Sequence, residues 1–532
     1  MDWSPTSPIG RGIVVGSLGV AASSQPLAAS AGLDVMRRGG SFIDAAIAIS
    51  AVLVVTEPYA SHLGGDAFCV VCPRGSDDSV AVNASGAAPL RANPADFGVA
   101  IPPRGSRSFS VPGLVSAWGA LHSLYGKLAL EDALAQAIEY AERGFPAGYA
   151  YCRAFRQTFG STACDVPPHV ASMLTGLDHL PRPGEAIRQP ALAVTLRHVA
   201  AGGADAFYRG PIASAIARRV RADGGWLDEE DLAAHAPDVR KPLATTYRGH
   251  VVHGQPPVSQ GLILLEALNI AELWDLPSMA WNSADRHHLL LEASKLAAAD
   301  REGRMGDPRL VRDPSAELIS KEHARSRARA IDLQQAAPAP APAQLGSDTT
   351  YFLAGDRDGV VSFIQSVFSG FGAGYVVPEC GVLMNNRMTG FSLDPSSPNV
   401  LAPGKRTMHT LNAYVVTRDD RPVLIGGTPG GHVQVQSNLQ VLSSVIDAGL
   451  DVQRAIEAPR WQWRREGDRT AVEIEERPGA GLVDELRGRG HDARPIGPWA
   501  QGSSYQLMRI DPETGAMHVG SDPRCDGQAV AF

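Results

Sequence analysis

Gly346-Ser347-Asp348-Thr349-Thr350-Tyr351-Phe352 is a small, polar run that ends in two threonines and turns into an apolar strand. Just upstream lies a Pro/Ala tract, Ala336 to Ala343, within a stretch from 331 to 347 that has no periodicity and reads as an exposed linker. A threonine at such a junction becomes a nucleophile when the peptide bond before it is cut. The cut frees an α-amine beside the hydroxyl, so one residue carries both nucleophile and base. A free α-amine titrates at about 7.7–8.0, which leaves a useful unprotonated fraction near neutral pH. Covalent attachment fixes its distance to the hydroxyl, and the β-methyl restricts χ1. In the precursor the same hydroxyl can attack the Asp348 carbonyl, giving an ester that water opens. The chain is therefore read as a proenzyme that cuts itself between Asp348 and Thr349. Taken alone, the same run is also what a loop entering a strand looks like.

Downstream the pattern is that of strands. Thr350 to Ala354 and Val360 to Phe368 flank Gly355-Asp356-Arg357-Asp358-Gly359, a hairpin turn. Ser366, on the second strand, is placed to hydrogen-bond Thr349 or to face solvent or backbone. Ala413 to Thr417 and Val423 to Gly426 flank a second polar turn. Gly427-Thr428-Pro429-Gly430-Gly431 then leads into a helix ending near Gly449. Two glycines between a strand and a helix can expose adjacent N–H groups to an oxyanion, or can serve only a tight turn.

Upstream, Ile13 to Ser17 reads as a strand and Pro26 to Arg38 as a helix stopped by Gly39-Gly40. Ser41 and Asp44 form a capping-box start for a helix through Val52, broken by Glu57-Pro58. Ala67 to Val71 reads as a buried strand. The middle, about 110 to 330, reads as mostly helical, with helical spacing at Leu128 to Arg143, Pro190 to Ala201, Pro211 to Asp223, Gly261 to Leu273 and Asp285 to Arg301. Helical layers plus antiparallel strands predict a layered α/β sandwich.

Composition excludes several classes of function. The formal net charge is −8 with no basic block, so no phosphate-tracking nucleic-acid surface is expected. The most apolar run, Ala45 to Val55, is too short to cross a bilayer. The start has no export signal, which makes cytoplasm the default compartment. Six scattered cysteines imply no disulfide framework. Cys69-Val70-Val71-Cys72 sits in a strand-like run whose residues three apart face opposite sides, so two buried thiols are expected rather than a zinc site. His287-His288 opens a long helix where adjacent residues cannot share a face, and a structural role is expected. No metal or organic cofactor is required.

These residues, in this order, resemble the γ-glutamyltranspeptidase superfamily of N-terminal nucleophile hydrolases over roughly 12 to 465. The resemblance rests on Gly19-Val20-Ala21-Ala22-Ser23, "GLDVMRRGGSFIDAAIA" with Glu57-Pro58 and Gly64-Gly65, and Pro256-Pro257-Val258-Ser259-Gln260-Gly261. It continues through "EASKLAAADREGRMGDP", "GSDTTYFL", "GVLMNNRMTGF", "APGKR" and "GTPGGH". It implies an αββα four-layer sandwich in which residues 1–348 and 349–532 become a large and a small subunit that stay intertwined as one domain. The mature protein would be a heterodimer of these fragments, or a dimer of such heterodimers. The resemblance matches Thr349 to the processing and catalytic threonine, Ser366 to the hydroxyl that supports it, and Gly430 and Gly431 to the oxyanion pair.

Departures from the family pattern bear on substrate. Ser85-Gly86, ahead of Ala88-Pro89, stands where γ-glutamyl enzymes place an Arg-Glu pair that grips the substrate α-carboxylate. Phe368 replaces an asparagine. Arg387 and Gly390 replace the groups that hold the α-amine, and His409-Thr410 replaces paired serines. The loop between Phe391 and Lys405 is shorter than the family's lid. A guanidinium at 387 can bind a carboxylate in bidentate fashion, with His409 as a further donor, or can pair with a structural acid. The expectation is a self-processing amidohydrolase acting on a small amide with a carboxylate near the scissile carbonyl, as in the oxamate-hydrolysing and acylase-like branch. A γ-glutamyltransferase or glutathione hydrolase is the alternative, and a non-catalytic binding protein of the same fold is a third reading.

Overall fold

The computed structural model describes residues 10–75, 78–338, 348–466, 469–477 and 481–532. Gly346, Ser347 and most of the expected linker therefore lie outside the described residues. Its first part is described: residues 332–335 are exposed, and Lys295 Nζ holds the Ala337 carbonyl at 2.6 Å.

The hairpin foreseen around Arg357-Asp358 is the centre of the molecule. Asp348–Asp356 pairs antiparallel with Gly359–Phe368, and the Asp356 carboxylate closes the turn by accepting the Asp358 and Gly359 amides at 2.7 and 3.0 Å. Its second oxygen accepts Phe42 N–H at 2.8 Å, which ties the turn to the start of the helix Phe42–Thr56. That helix is buried on every face, as a helix apolar all round must be. The Ser41–Asp44 capping box is formed at its N-terminus.

The hairpin lies in the middle of a seven-stranded antiparallel sheet. The order is Gln528–Ala531, Gly19–Ser23, Asp348–Asp356, Gly359–Phe368, Asp66–Pro73, Val80–Ala84 and Asp238–Arg240. A second sheet runs Val14–Gly16, Met517–Ser521, Gln506–Ile510, Arg421–Gly427, Ala413–Arg418, His250–Gly254 and Leu243–Tyr247. Val20, Phe68, Tyr351, Leu353, Val415, Ile425 and Met508 fill the space between the sheets. The first sheet buries its outer face under Pro26–Arg37, Phe42–Thr56 and Leu114–Tyr125, and the second under Gly261–Ala271, Ala284–Arg304 and Val433–Ile446. The fold is the expected αββα sandwich. The face alternation expected of Cys69 and Cys72 also holds: Cys69 packs under the helices and Cys72 between the sheets, both as free thiols.

The helical reading of the middle missed five strands: the short pair Phe145–Pro146 and Ala186–Ile187, and then Asp238–Arg240, Leu243–Tyr247 and His250–Gly254. The last two form a hairpin at Arg248-Gly249, where both residues have positive φ (50° and 76°). The signal was present in the alternation that buries Thr245 and Tyr247 and exposes Ala244 and Thr246.

Candidate active site

The pairing of the hairpin strands slips at its open end. Asp348 pairs with Phe368 but Thr350 pairs with Gln365, so Thr349 faces two residues, Ser366 and Val367. Such a bulge bends the strand and re-aims a side chain. Phe368 absorbs the bend with φ of 84°. Thr349 Oγ1 then donates to Ser366 Oγ at 3.2 Å, and Ser366 Oγ donates to the Asp348 carbonyl at 2.7 Å. Phe368 N–H donates to the same Ser366 oxygen at 2.8 Å, so that hydroxyl is fixed. In the continuous chain one serine therefore touches both the hydroxyl that would attack and the carbonyl that would be attacked. Burial pushes the Asp348 side-chain carboxyl up to about 6, partly offset by the Gly370 amide and by Arg104.

Thr350 points to the helix side of the sheet. Its hydroxyl meets Ser24 Oγ at 2.7 Å, and Ser24 in turn meets both Glu57 oxygens at 3.0 Å. Burial raises Glu57 to about 7, against the lowering hydrogen bonds of Thr350 and Ser24.

Gly430 and Gly431 have φ of 125° and 59°, values that favour glycine. Their carbonyls accept Val433 and Gln434 N–H at the start of the helix. Their own amides have no hydrogen-bond partner among the described residues. Tyr351, two residues after Thr349, packs its ring where a Cβ on Gly427 would sit, at the end of the strand that leads into the glycine turn.

Arg387 is fully buried in a short turn after Asn385. Its Nε donates to Asp66 Oδ2 at 3.1 Å, and Asp66 Oδ1 accepts Gly86 N–H at 3.0 Å. The guanidinium lies over the Phe368 ring at 4.3 Å, while Nη1 and Nη2 have no partner. Asp66 itself sits across the ladder from Ser366. Of the two uses foreseen for Arg387, pairing with an acid thus takes only one edge of the fork.

His409 is buried with both ring nitrogens unpartnered, its ring 4.9 Å from that of Phe68. Burial, then Arg387, Arg406 and Arg301, push its pKa well down, so the imidazole is neutral. Thr410 is buried beside it, and its carbonyl accepts Gln260 Nε2. Ser85 sits at the same end of the sheet, but its hydroxyl is committed to Asn83 Oδ1 at 2.6 Å. The following amide, that of Gly86, is what reaches Asp66. Asp66, Gln260 and Glu57 went unassigned by the sequence; each lies within or beside a quoted motif, and a buried polar side chain among glycines and prolines was the available clue.

Among the described residues, two clusters elsewhere have metal-ligating side chains, His288–Glu292–His491 and Glu266–Asp300–His323. In the first, His288 Nδ1 and His491 Nε2 bond each other at 2.8 Å and Lys295 already faces Glu292 at 2.5 Å. In the second, His323 bridges both carboxylates at 3.1 Å and Arg327 covers Asp300. Both read as internally neutralised ties between elements. Among the described residues no helix is long and apolar enough to cross a membrane.

A gamma-glutamyltranspeptidase family model matches residues 28–532. The chain is 34% identical to the glutathione hydrolase-like YwrD proenzyme of Bacillus subtilis, over 98% of this chain and 99% of that one. It is 33% identical to the oxamate amidohydrolase proenzyme of Klebsiella pneumoniae, over 97% and 99%. The crystal structure of cephalosporin acylase from Bacillus halodurans superposes with a TM-score of 0.92 at 36% identity, covering 100% of this chain and 99% of that one. With this fold, and with these relatives named as proenzymes, the chain belongs to the γ-glutamyltranspeptidase family of N-terminal nucleophile hydrolases, self-processing enzymes that act on amide C–N bonds.

Proposed function

We propose that the chain cuts its own Asp348–Thr349 bond and then hydrolyses a small amide whose acyl part carries a carboxylate close to the scissile carbonyl. The observation that carries the substrate class is Arg387: buried, anchored through Nε on Asp66, with Nη1 and Nη2 free to donate to a second carboxylate in bidentate fashion. His409, neutral and unpartnered, supplies a further donor. Phe368 supports the guanidinium with its ring, and Thr410, next to His409, and Ser85, next to the Gly86 amide that meets Asp66, are read as the remaining groups of the substrate site.

In maturation, Thr349 Oγ attacks the Asp348 carbonyl carbon as the C–N bond breaks. The hydroxyl proton passes to the departing Thr349 nitrogen, and Ser366 steadies the carbonyl oxygen. Water then opens the ester, leaving Asp348 with a C-terminal carboxylate and returning the Oγ hydroxyl to Thr349, whose amine the C–N cleavage has already freed. In turnover the amine takes the Oγ proton, Oγ attacks the substrate carbonyl, and the Gly430 and Gly431 amides hold the oxyanion. The protonated amine returns the proton to the leaving nitrogen, and water releases the acid from Thr349. Both fragments contribute to one sheet: Gly19–Ser23 and Asp66–Pro73 pair with the hairpin of 348–368, which supports an intertwined heterodimer of 1–348 and 349–532.

The test is turnover of oxamate, its neutral diamide and a γ-glutamyl anilide by wild type and Arg387→Leu. Wild type is expected to prefer oxamate over the diamide by roughly 10²-fold, consistent with a buried charge-assisted pair. The variant is expected to process normally and to lose that preference. Equal turnover of charged and neutral amides, or dominant γ-glutamyl activity, contradicts the assignment.

A further inference from the structure

The oxyanion turn is made of two glycines and has no side chain of its own to hold it. What reaches it from a distance is Gln260. This side chain is 1% exposed, and its Nε2 donates to two carbonyls at once, that of Gly431 at 2.9 Å and that of Thr410. One planar amide group thus spans the turn that faces the oxyanion and the segment that carries His409 and Thr410.

Gln260 is itself locked in place. Its N–H donates to the His409 carbonyl at 3.2 Å, and His409 N–H donates to the Val258 carbonyl at 2.9 Å. The neighbouring Ser259 pairs in parallel with His409 and donates its hydroxyl to the Leu411 carbonyl at 2.6 Å, a bond that does not involve the Gln260 side chain. The Gln260 carbonyl accepts Ile263 N–H at 3.0 Å as the helix Gly261–Ala271 begins. On the far side, Gln434 Oε1 accepts Asn412 N–H at 3.0 Å, a second strap from the start of the helix after the glycines to the same segment. Beside the Gln260 side chain and the start of the helix after the glycines lies a cavity of about 20 Å³ lined by Gln260, His432, Arg301, Gln436 and Trp463, room for roughly one water.

We propose that Gln260 is a positioning residue that sets the Gly430-Gly431 amides relative to the segment reading the substrate. The proposal rests on the assignment of those amides to the oxyanion. Oxyanion donors act only when aimed at where charge develops, so a tilt of the turn costs rate rather than affinity. Self-cleavage is spared, because the Asp348 carbonyl is met by Ser366 and not by the glycines.

The test compares Gln260→Leu, the isosteric Gln260→Glu and the control Ser259→Ala. Ser259→Ala removes a hydrogen bond from the same turn without touching Gly431. Both Gln260 variants are expected to cut themselves at the wild-type rate and to keep KM within about threefold, while kcat falls roughly 10²-fold. Ser259→Ala is expected to keep kcat within a few-fold. Wild-type kcat in Gln260→Leu, failed processing in both Gln260 variants, or an equal kcat loss in Ser259→Ala overturns the proposal. A crystal structure of Gln260→Leu gives a readout independent of activity: the two glycines are expected to leave their φ values of 125° and 59°. An unmoved turn overturns the proposal even where the amidase assignment stands. A moved turn in a protein that is inactive as wild type supports the positioning role and leaves the amidase assignment as the failed part.

Discussion

Thr349 and Thr350 are neighbours with opposite surroundings. Thr349 is turned by the bulge onto Ser366, whereas Thr350 is pinned on the helix side to Ser24 and Glu57. Glu57 carries a consequence for pH. Burial holds its pKa at about 7 in the folded chain against an ordinary 4.5, with Asp526 adding to the rise and Thr350, Ser24 and Tyr59 opposing it. Tyr59, Asp526 and Cys525 are the titratable groups that interact with it, and Asp348 in turn acts on Tyr59. Between these two values the folded state binds the proton and the unfolded state does not. Its stabilising share is therefore complete below pH 4.5 and is lost as pH rises through 7, by an amount on the order of 3 kcal/mol. Denaturation of the uncut Thr349→Ala protein is expected to show this decline, and Glu57→Gln in the same background to flatten it. A Glu57→Gln profile parallel to that of its parent contradicts the account. Thr349 and the paired glycines can be picked out as candidates in the sequence because each sits at a junction of element types, and Ser366 because it lies on the strand that pairs with that of Thr349. Asp66 and Gln260 are not, because their work is done on partners 321 and 171 residues away, and spacing carries no signal at that range.

At the scale of elements, turn chemistry was the most readable part. Asp356 is the clearest case: one carboxylate satisfies two turn amides and the first amide of the helix Phe42–Thr56. Asp356→Ala leaves those N–H groups without an acceptor and is expected to lower stability by about 3 kcal/mol, measured by urea denaturation in the Thr349→Ala background. A loss below about 1 kcal/mol contradicts the role given to this turn. The strands between 238 and 254 were harder to read. They are three to five residues long, too short for alternation to stand out among long helices, and their hairpin is closed by Arg248-Gly249 rather than by an Asn-Gly or Asp-Gly pair.

At the scale of the whole molecule, the sandwich follows from alternation. Residues such as Phe352 and Ala354 face the helices while Tyr351 and Leu353 face the other sheet, so a single hairpin serves two cores. The same hairpin lies between strands from the upstream part of the chain, so a cut at its entrance separates covalently what the sheet still holds together. The central claim is that the cut falls before Thr349 and is made by Thr349. Intact-mass measurement of purified wild type and Thr349→Ala, each under native and denaturing conditions, tests it most directly. The account predicts that wild type travels as one native species and denatures into two fragments, the smaller beginning at Thr349, while Thr349→Ala remains a single chain of 56.2 kDa. A fragment starting elsewhere, cleavage of both proteins alike, or full amidase activity in uncut wild type would contradict it.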